Sequence, residues 1–205
     1  MQKLHLEIRE KQKLFYTSDM HFGHRNILTF CNRPFATEKE MNLALIENWN
    51  SVVGPNDIVF NLGDFCWWDS NRDIQKIFNK LNGKIYFQFG NHDTKKGLRE
   101  VPSHVEILDD VVHTWIKFEE DPITYEVVTS HYPLLTYAGK MRGVYHFFGH
   151  IHSGPGSIGS EASLPLDKNM YDVGMDNNGL YPIEFRDIIK KIKPKVPFDY
   201  PVLEE

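Results

Sequence analysis

The chain has 205 residues, 41% of them hydrophobic and 25% charged, with a net charge of −5. That is the size and balance of one globular domain, and it excludes collagen-like, disordered and coiled-coil classes. No apolar run approaches the roughly 18 residues that a membrane helix needs, and an acidic chain without clustered Lys and Arg is expected to form no stable nucleic-acid complex. The N-terminal stretch up to Lys13 is polar and has no signal-peptide core. A short apolar strand is expected over 13–18, running straight into Asp19. A helix is expected over 38–50, with Met41, Leu45, Ile46 and Trp49 at helical spacing. Thr37 is its N-cap, and Glu40 completes a capping box. After the breaker Gly54-Pro55-Asn56, a buried strand over 57–62 ends at Gly63-Asp64. A second helix over 71–81 is stopped by Asn82-Gly83, and a strand over 84–89 ends at Gly90-Asn91-His92-Asp93.

The second half reads as richer in strand. Two β-branched runs, 105–118 and 123–129, are expected to pair as a hairpin, the second ending at Ser130-His131. A strand over 144–148 ends at Gly149-His150-Ile151-His152. Residues 153–169 form a polar Gly/Ser/Pro-rich loop, 170–173 a last strand and 184–191 a last helix. Residues 1–193 make one domain, and 194–205 a tail with Pro194, Pro197 and Pro201. Two cysteines, Cys31 and Cys66, are too few for a disulfide framework, so a reducing, cytoplasmic setting is expected.

Ten histidines are the compositional outlier. Five apolar runs end abruptly in Asp, Asn or His, and in α/β folds ligands bind at such strand ends. The D-x-H of Asp19 and His21 and the H-x-H of His150 and His152 put both members of each pair on one side of an extended chain. Glycines before Asp64, Asn91 and His150 permit tight turns or close approach. The potential ligands are Asp19, His21, Asp64, Asn91, His131, His150 and His152. Four imidazoles, two carboxylates and an amide oxygen suit Mn, Fe, Zn, Co or Ni better than Ca or Mg. Two ions sharing one bridging carboxylate would use all seven.

D-x-H, GD, GNHD, H and GHIH, in this order from Asp19 to His152, resemble the motifs of the calcineurin-like metallophosphoesterases. The loop from Asp19 to His24 and the run from Tyr171 to Asp176 resemble small bacterial and phage members. The resemblance implies a four-layer α/β/β/α sandwich with two mixed β-sheets and a dinuclear site. It implies one divalent ion, manganese foremost, on Asp19, His21 and His152. A second would sit on Asn91, His131 and His150, with Asp64 bridging. It makes His92 the substrate-facing catalytic residue and Asp93 the acid that orients it.

The reaction then expected is hydrolysis of a small phosphodiester or nucleotide-type ester. Two dications lower the pKa of a bridging water and offset charge at phosphorus, and His92 assists the leaving group. The two carboxylates Asp19 and Asp64 contribute −2, so two dications leave the centre near +2 in an acidic protein. His24 and Arg25 are candidate substrate contacts, and Trp67 or Trp68 a platform for a base. The alternatives are a phosphomonoesterase, or a metal-binding protein-interaction scaffold with weak turnover. An amide- or thioester-cleaving metallohydrolase would need H-E-x-x-H or H-x-H-x-D-H, and neither occurs. His5, His104, His113 and His146 lie outside the motifs and read as structural or surface residues. Membrane association is not expected, and oligomeric state is not legible.

Overall fold

The computed structural model describes residues 1–68, 70–154 and 166–192. The expected tail at 194–205 and most of the loop at 153–169 lie outside these residues. The described chain is an α/β fold of two mixed five-stranded sheets. The first sheet has the order β1 (Gln2–Ile8), β6 (Val111–Phe118), β7 (Thr124–Ser130), β8 (Tyr145–Phe148) and β9 (Met170–Asp172). The second has the order β10 (Ile183–Glu184), β2 (Leu14–Thr17), β3 (Ile58–Asn61), β4 (Lys84–Phe87) and β5 (Val105–Ile107). Among the described residues no helix is long and apolar enough to cross a membrane.

The sheets pack face to face through Leu14, Tyr16, Phe60, Val112, Ile116, Val127 and Phe147, all fully or almost fully buried. Phe15, Val59, Ile85 and Phe87 point to the opposite face of the second sheet. They meet α2 (Glu38–Val52) and α3 (Asn71–Phe78) through Met41, Leu45, Trp49, Ile74 and Phe78. Strands β2 and β3 are buried at every position because both of their faces are covered. The helix α4 (Phe185–Lys191) places Phe185 and Ile188 in the inter-sheet core.

The helices start where their caps dictate. Thr37 accepts the Glu40 amide at 3.2 Å. Glu40 reaches back to the Ala36 amide rather than that of Thr37, at 3.0 Å. Ser70 accepts the Asp73 amide and opens α3. This helix ends three residues before the expected 81, because Lys80 and Leu81 bond to the third residue before them and tighten the last turn.

Two departures from the expected strands have physical causes. Residues 2–8 form a strand in what reads as a polar segment. Leu4, Leu6 and Ile8 alternate inward, and the charged residues between them face out. The run 105–118 is not one strand: β5 pairs with β4 in one sheet, and β6 pairs with β1 and β7 in the other. Asp109-Asp110 is the crossing point, and its two carbonyls accept Gln88 Nε2. The hairpin of β6 and β7 is as expected, antiparallel across 119–123.

His146, outside the motifs, is a structural histidine. Its Nδ1 donates to Val128 O at 3.0 Å and its Nε2 accepts the Leu134 amide at 2.9 Å. These two bonds fix it as a neutral ring, and burial lowers its pKa from 6.5 to about 4. The unfolded chain therefore takes up this proton first as pH falls below 6.5, and stability declines until the folded ring protonates near 4. The full loss through this one group is about 3 kcal/mol. Urea unfolding from about pH 7 to about pH 4 is expected to show a shallower decline for His146→Gln than for the wild type. Equal slopes would show that His146 does not carry this dependence.

Candidate metal centre

Strands β2, β3 and β4 of one sheet and β7 and β8 of the other end at Asp19, Asp64, Asn91, His131 and His150. The loops are tied to one another by backbone bonds: Asp19 N to Gly63 O, His21 N to Asp64 O, and Gly149 N to His131 O. Two groups of close candidate ligand atoms result, Asp19 with His21 and His152, and Asp64 with His131 and His150, and a third, Cys31 with Asp176, shares His152. The Asn91 amide oxygen joins the second group, 3.0 Å from His131 Nε2. All seven ligand candidates are therefore brought to one place.

The local conformation differs from the extended chain expected. Asp19, His21, Asp64, His150 and His152 all have positive φ, between 46° and 73°. Left-handed turns, not the alternation of a strand, bring Asp19 and His21 of the D-x-H together, and they send the two rings of the H-x-H to different groups, His152 to that of Asp19 and His150 to that of Asp64. Asp and His enter this region more readily than most residues, at a cost of order 1–3 kcal/mol each. Gly63 and Gly90 let two of the turns touch. A Cβ on Gly63 would strike the Gly90 backbone, and a Cβ on Gly90 would strike the Asp64 carboxylate.

Asp64 links the two groups. Its Oδ2 lies 3.6 Å from His21 Nε2 and 3.5 Å from His131 Nε2. Its Oδ1 accepts the His92 amide at 2.9 Å. Burial raises its pKa, but hydrogen bonding and charge from His131 outweigh that and hold it below the usual carboxylate range.

His21 provides the test of whether a metal fits. Its Nε2 is buried and has no hydrogen-bond partner among the described residues. Burial, together with the positive field of His152 and Arg33, holds the ring well below its ordinary pKa. A neutral imidazole whose buried Nε2 has no partner, beside two carboxylates, has the chemistry of a metal ligand. The residues fit a metal.

The other ligand rings are oriented from behind. His131 Nδ1 donates to Leu62 O at 2.8 Å, which turns Nε2 toward Asp64 and Asn91. His152 Nδ1 donates to Asp176 Oδ2 at 2.7 Å, and Cys31 Sγ lies 3.3 Å from the same nitrogen. Burial opposes charge on His152, yet Asp19 and Asp176 push its pKa up to about 11. Arg33 grips Asp176 with Nε and Nη2 at 2.8 and 3.0 Å. It also donates to the Met20 and Asp19 carbonyls.

Neither Arg33 nor Asp176 was marked by the motifs as part of the site. Asp176 ends the run beginning at Tyr171, beyond the expected strand at 170–173, and occupies a short 3-10 helix, Met175–Asn178. Arg33 stands between Asn32 and Pro34, outside every motif, and only its burial against Asp176 marks it.

Asp93 takes a different place from the one the resemblance implied. Its two oxygens accept the backbone amides of Asp64, Phe65 and Gly90, at 2.8, 3.0 and 2.8 Å. The carboxylate clamps two ligand-bearing loops together instead of standing behind the His92 ring. Burial and the neighbouring Asp64 charge raise its pKa to about 6 in spite of these bonds.

Around the mouth, His92 has 34% of its side chain exposed, with Nε2 3.9 Å from Asp64 Oδ2. His24 is buried, and its Nδ1 lies 3.3 Å from His21 Nδ1. Trp67 covers His24 in a parallel stack at 4.0 Å and is itself 52% exposed. Trp68 packs over Gly23 and against the helix-side core. Arg25 is exposed, and among the described residues its side chain makes no hydrogen bond or ion pair. Asn26 stands at the N-cap of α1 (Ile27–Phe30) without a side-chain capping bond. Cys31 and Cys66 are buried and are not joined in a disulfide.

The chain is 46% identical over 83 residues to the uncharacterized protein MJ1445 of Methanocaldococcus jannaschii, a stretch covering 40% of this chain and 47% of that protein. It is 32% identical over 81 residues to the gene 66 protein of Mycobacterium phage L5, covering 38% and 39% of the two. The chain thus spans less than half the length of the curated relatives it matches. A solved structure, the protein of unknown function AQ665 from Aquifex aeolicus, superposes with a TM-score of 0.63 over 89% of this chain and 100% of its own. At 22% identity that likeness speaks for the fold alone. Residues 13–139, more than half of the chain and the source of five of the seven candidate ligands, match the model of the calcineurin-like phosphoesterases, and the chain belongs to that family.

Proposed function

We propose that the protein hydrolyses phosphodiesters or nucleotide-type phosphate esters at a centre of two divalent transition-metal ions, manganese foremost. Asp19, His21 and His152 would hold one ion. Asn91, His131 and His150 would hold the other, and Asp64 would be shared. The observation that carries this reading is the position of Asp64 Oδ2, at almost equal distance from His21 and His131, beside an orphaned His21 nitrogen. When bound, the ions supply Lewis acidity toward phosphate oxygens and a nucleophile from water at neutral pH.

The chain's own residues do the remainder. Arg33 and Asp176 hold His152 in one orientation, as His21 and His24 hold each other. His92 stands at the mouth with its main chain anchored on Asp64, in place to protonate a leaving oxygen. Trp67 presents its exposed ring beside His92, 5.0 Å between centroids, as a surface for a planar leaving group. The two reduced thiols suit a cytoplasmic protein.

The test is metal analysis of the purified protein, then a panel of phosphomonoesters, linear diesters and cyclic nucleotides with manganese supplied. Bound metal and turnover of diesters are expected. Neither metal nor hydrolysis across the panel would overturn the proposal, and turnover of monoesters alone would shift the substrate class. Within the same panel, His92→Ala is expected to keep its metal content and lose about 10²–10⁴-fold in kcat. Unchanged turnover in a metal-replete variant would remove His92 from the reaction.

A further inference from the structure

Beyond the centre, four basic residues line a groove of about 800 Å³ between α3 and the turn at 96–99. Arg72 and Lys76 enter it from one face of the helix, and Lys96 and Arg99 from the turn. No acidic side chain among the described residues lines it. Lys76 is paired with Asp73 at 2.6 Å. Arg72, Lys96 and Arg99 form no ion pair among the described residues. Lys96, Arg99 and Arg72, the last also within reach of the Asp73 charge, gather positive charge in one concavity and make a local anion site in a protein whose net charge is −5.

The groove is built, not incidental. Asn71 Nδ2 donates to the Gly97 and Glu100 carbonyls, both at 2.8 Å, and Gln75 Nε2 donates to Glu100 at 3.3 Å. These bonds weld the helix to the turn, so the two pairs of cations face each other at fixed spacing. The groove also adjoins the centre. Ser70 on its wall follows Trp67 by three residues, at most about 11 Å of chain. Lys96 follows His92 by four. Trp67 is the exposed ring at the mouth, so the segment that carries this aromatic surface beside His92 runs on within three residues to the wall of the basic groove. A basic groove beside an aromatic platform is the recurrent arrangement for single-stranded nucleic acid.

We propose that this groove is a subsite for the phosphates of a single nucleotide strand whose scissile phosphate lies at the metal centre, with a base on Trp67. This rests on the phosphoesterase reading of the centre. The strand's flanking phosphates pair with Arg72, Lys96 and Arg99, and Arg gives fork-like contacts to phosphate oxygens. A linear scan for basic stripes misses the site, because its cations come from helical spacing and from a second segment more than twenty residues away.

The test uses fluorescence anisotropy of the full-length, metal-loaded protein with a labelled oligothymidylate about eight nucleotides long. Thymidine monophosphate and inorganic tripolyphosphate serve as competitors. The strand is expected to bind at least about tenfold tighter than the mononucleotide. The triple variant R72Q/K96Q/R99Q is expected to weaken it by about tenfold or more and to reduce the log–log salt slope by about two. Melting temperature and metal content check that the variant's fold and centre are intact. Equal affinity and equal salt slope in wild type and variant would overturn the groove. So would competition by tripolyphosphate as strong as by the strand, since the base would then play no part. Hydrolysis of bis(p-nitrophenyl) phosphate by the wild type separates the two readings. Turnover without strand binding sinks the groove alone, and strand binding with no ester cleaved sinks the centre's reading.

Discussion

Arg33→Met is expected to destabilise the metal-free protein by about 3–5 kcal/mol and to weaken metal binding by about 10–100-fold. The side chains of Arg33 and Asp176 are 1% and 4% exposed, so neither charge has water to fall back on. Methionine fills much of the same volume but strips the partner from a buried carboxylate. It also orphans the Asp19 and Met20 carbonyls, which accept from Arg33 at 2.6 and 2.8 Å. Leaving such groups buried and unpaired is the costly event, more than losing the attraction itself. The effect on metal follows a second route. Asp176 holds His152 Nδ1 at 2.7 Å, and without the Arg33 fork its carboxylate keeps that bond but is no longer held in one position, so the ring is oriented less firmly. Arg33→Lys restores the charge without the fork and should fall between the two. Urea unfolding of the apo protein gives the first quantity, and calorimetric titration with manganese gives the second. A methionine variant as stable as the wild type would show that the pair does not hold this corner of the fold.

The candidate ligands were legible in the sequence as residues that share one place, because strand ends are marked twice, by the stop of an apolar run and by a change to Asp, Asn or His. The two helices packed on the second sheet were legible for the same kind of reason. Thr37 caps one of them, and Met41, Leu45 and Trp49 lie on one face. What stayed hidden depends on residues far apart in the chain. Strand β1 looks polar because an edge strand buries only alternate side chains, and Leu4, Leu6 and Ile8 are spaced by charged or polar ones. The run 105–118 looks continuous because β-branched composition is the same on both sides of Asp109-Asp110, and only pairing separates the sheets.

The site shows the same division. Asp19 and His21 could be placed together from their spacing, but the reason was misread, since left-handed turns bring them together and a pleat does not. Asp93 could be placed near the centre but not in its role. Three amides from two loops converge on it, and no local pattern announces that. Arg33 and Asp176 are 143 residues apart and meet only in the folded chain. Residues that touch a ligand tend to sit in short motifs, because one turn must present them. Residues that orient those ligands are recruited from wherever the packing brings a partner.

Asp64→Asn is expected to produce the largest loss in turnover. Asparagine is nearly isosteric and keeps an oxygen to accept the His92 amide, which Asp64 Oδ1 does at 2.9 Å. The loop should therefore hold its shape, and metal-free stability should change little. At the other terminus an NH2 replaces Oδ2, the atom 3.6 Å from His21 Nε2 and 3.5 Å from His131 Nε2. A donor there cannot ligate a cation, and both groups of ligands lose their shared charge at once. Metal content should fall below that of the wild type, and kcat/KM for a diester should drop by at least about 10³-fold, equivalent to about 4 kcal/mol of transition-state stabilisation. The same substitution at Asp19 should be milder in one respect. Asp19 belongs to one group only, with His21 and His152, so the ligands around Asp64 remain intact. Metal analysis of Asp64→Asn beside Asp19→Asn thus separates a shared ligand from a private one. Equal residual metal and equal residual turnover in the two variants would remove Asp64 from the bridging position.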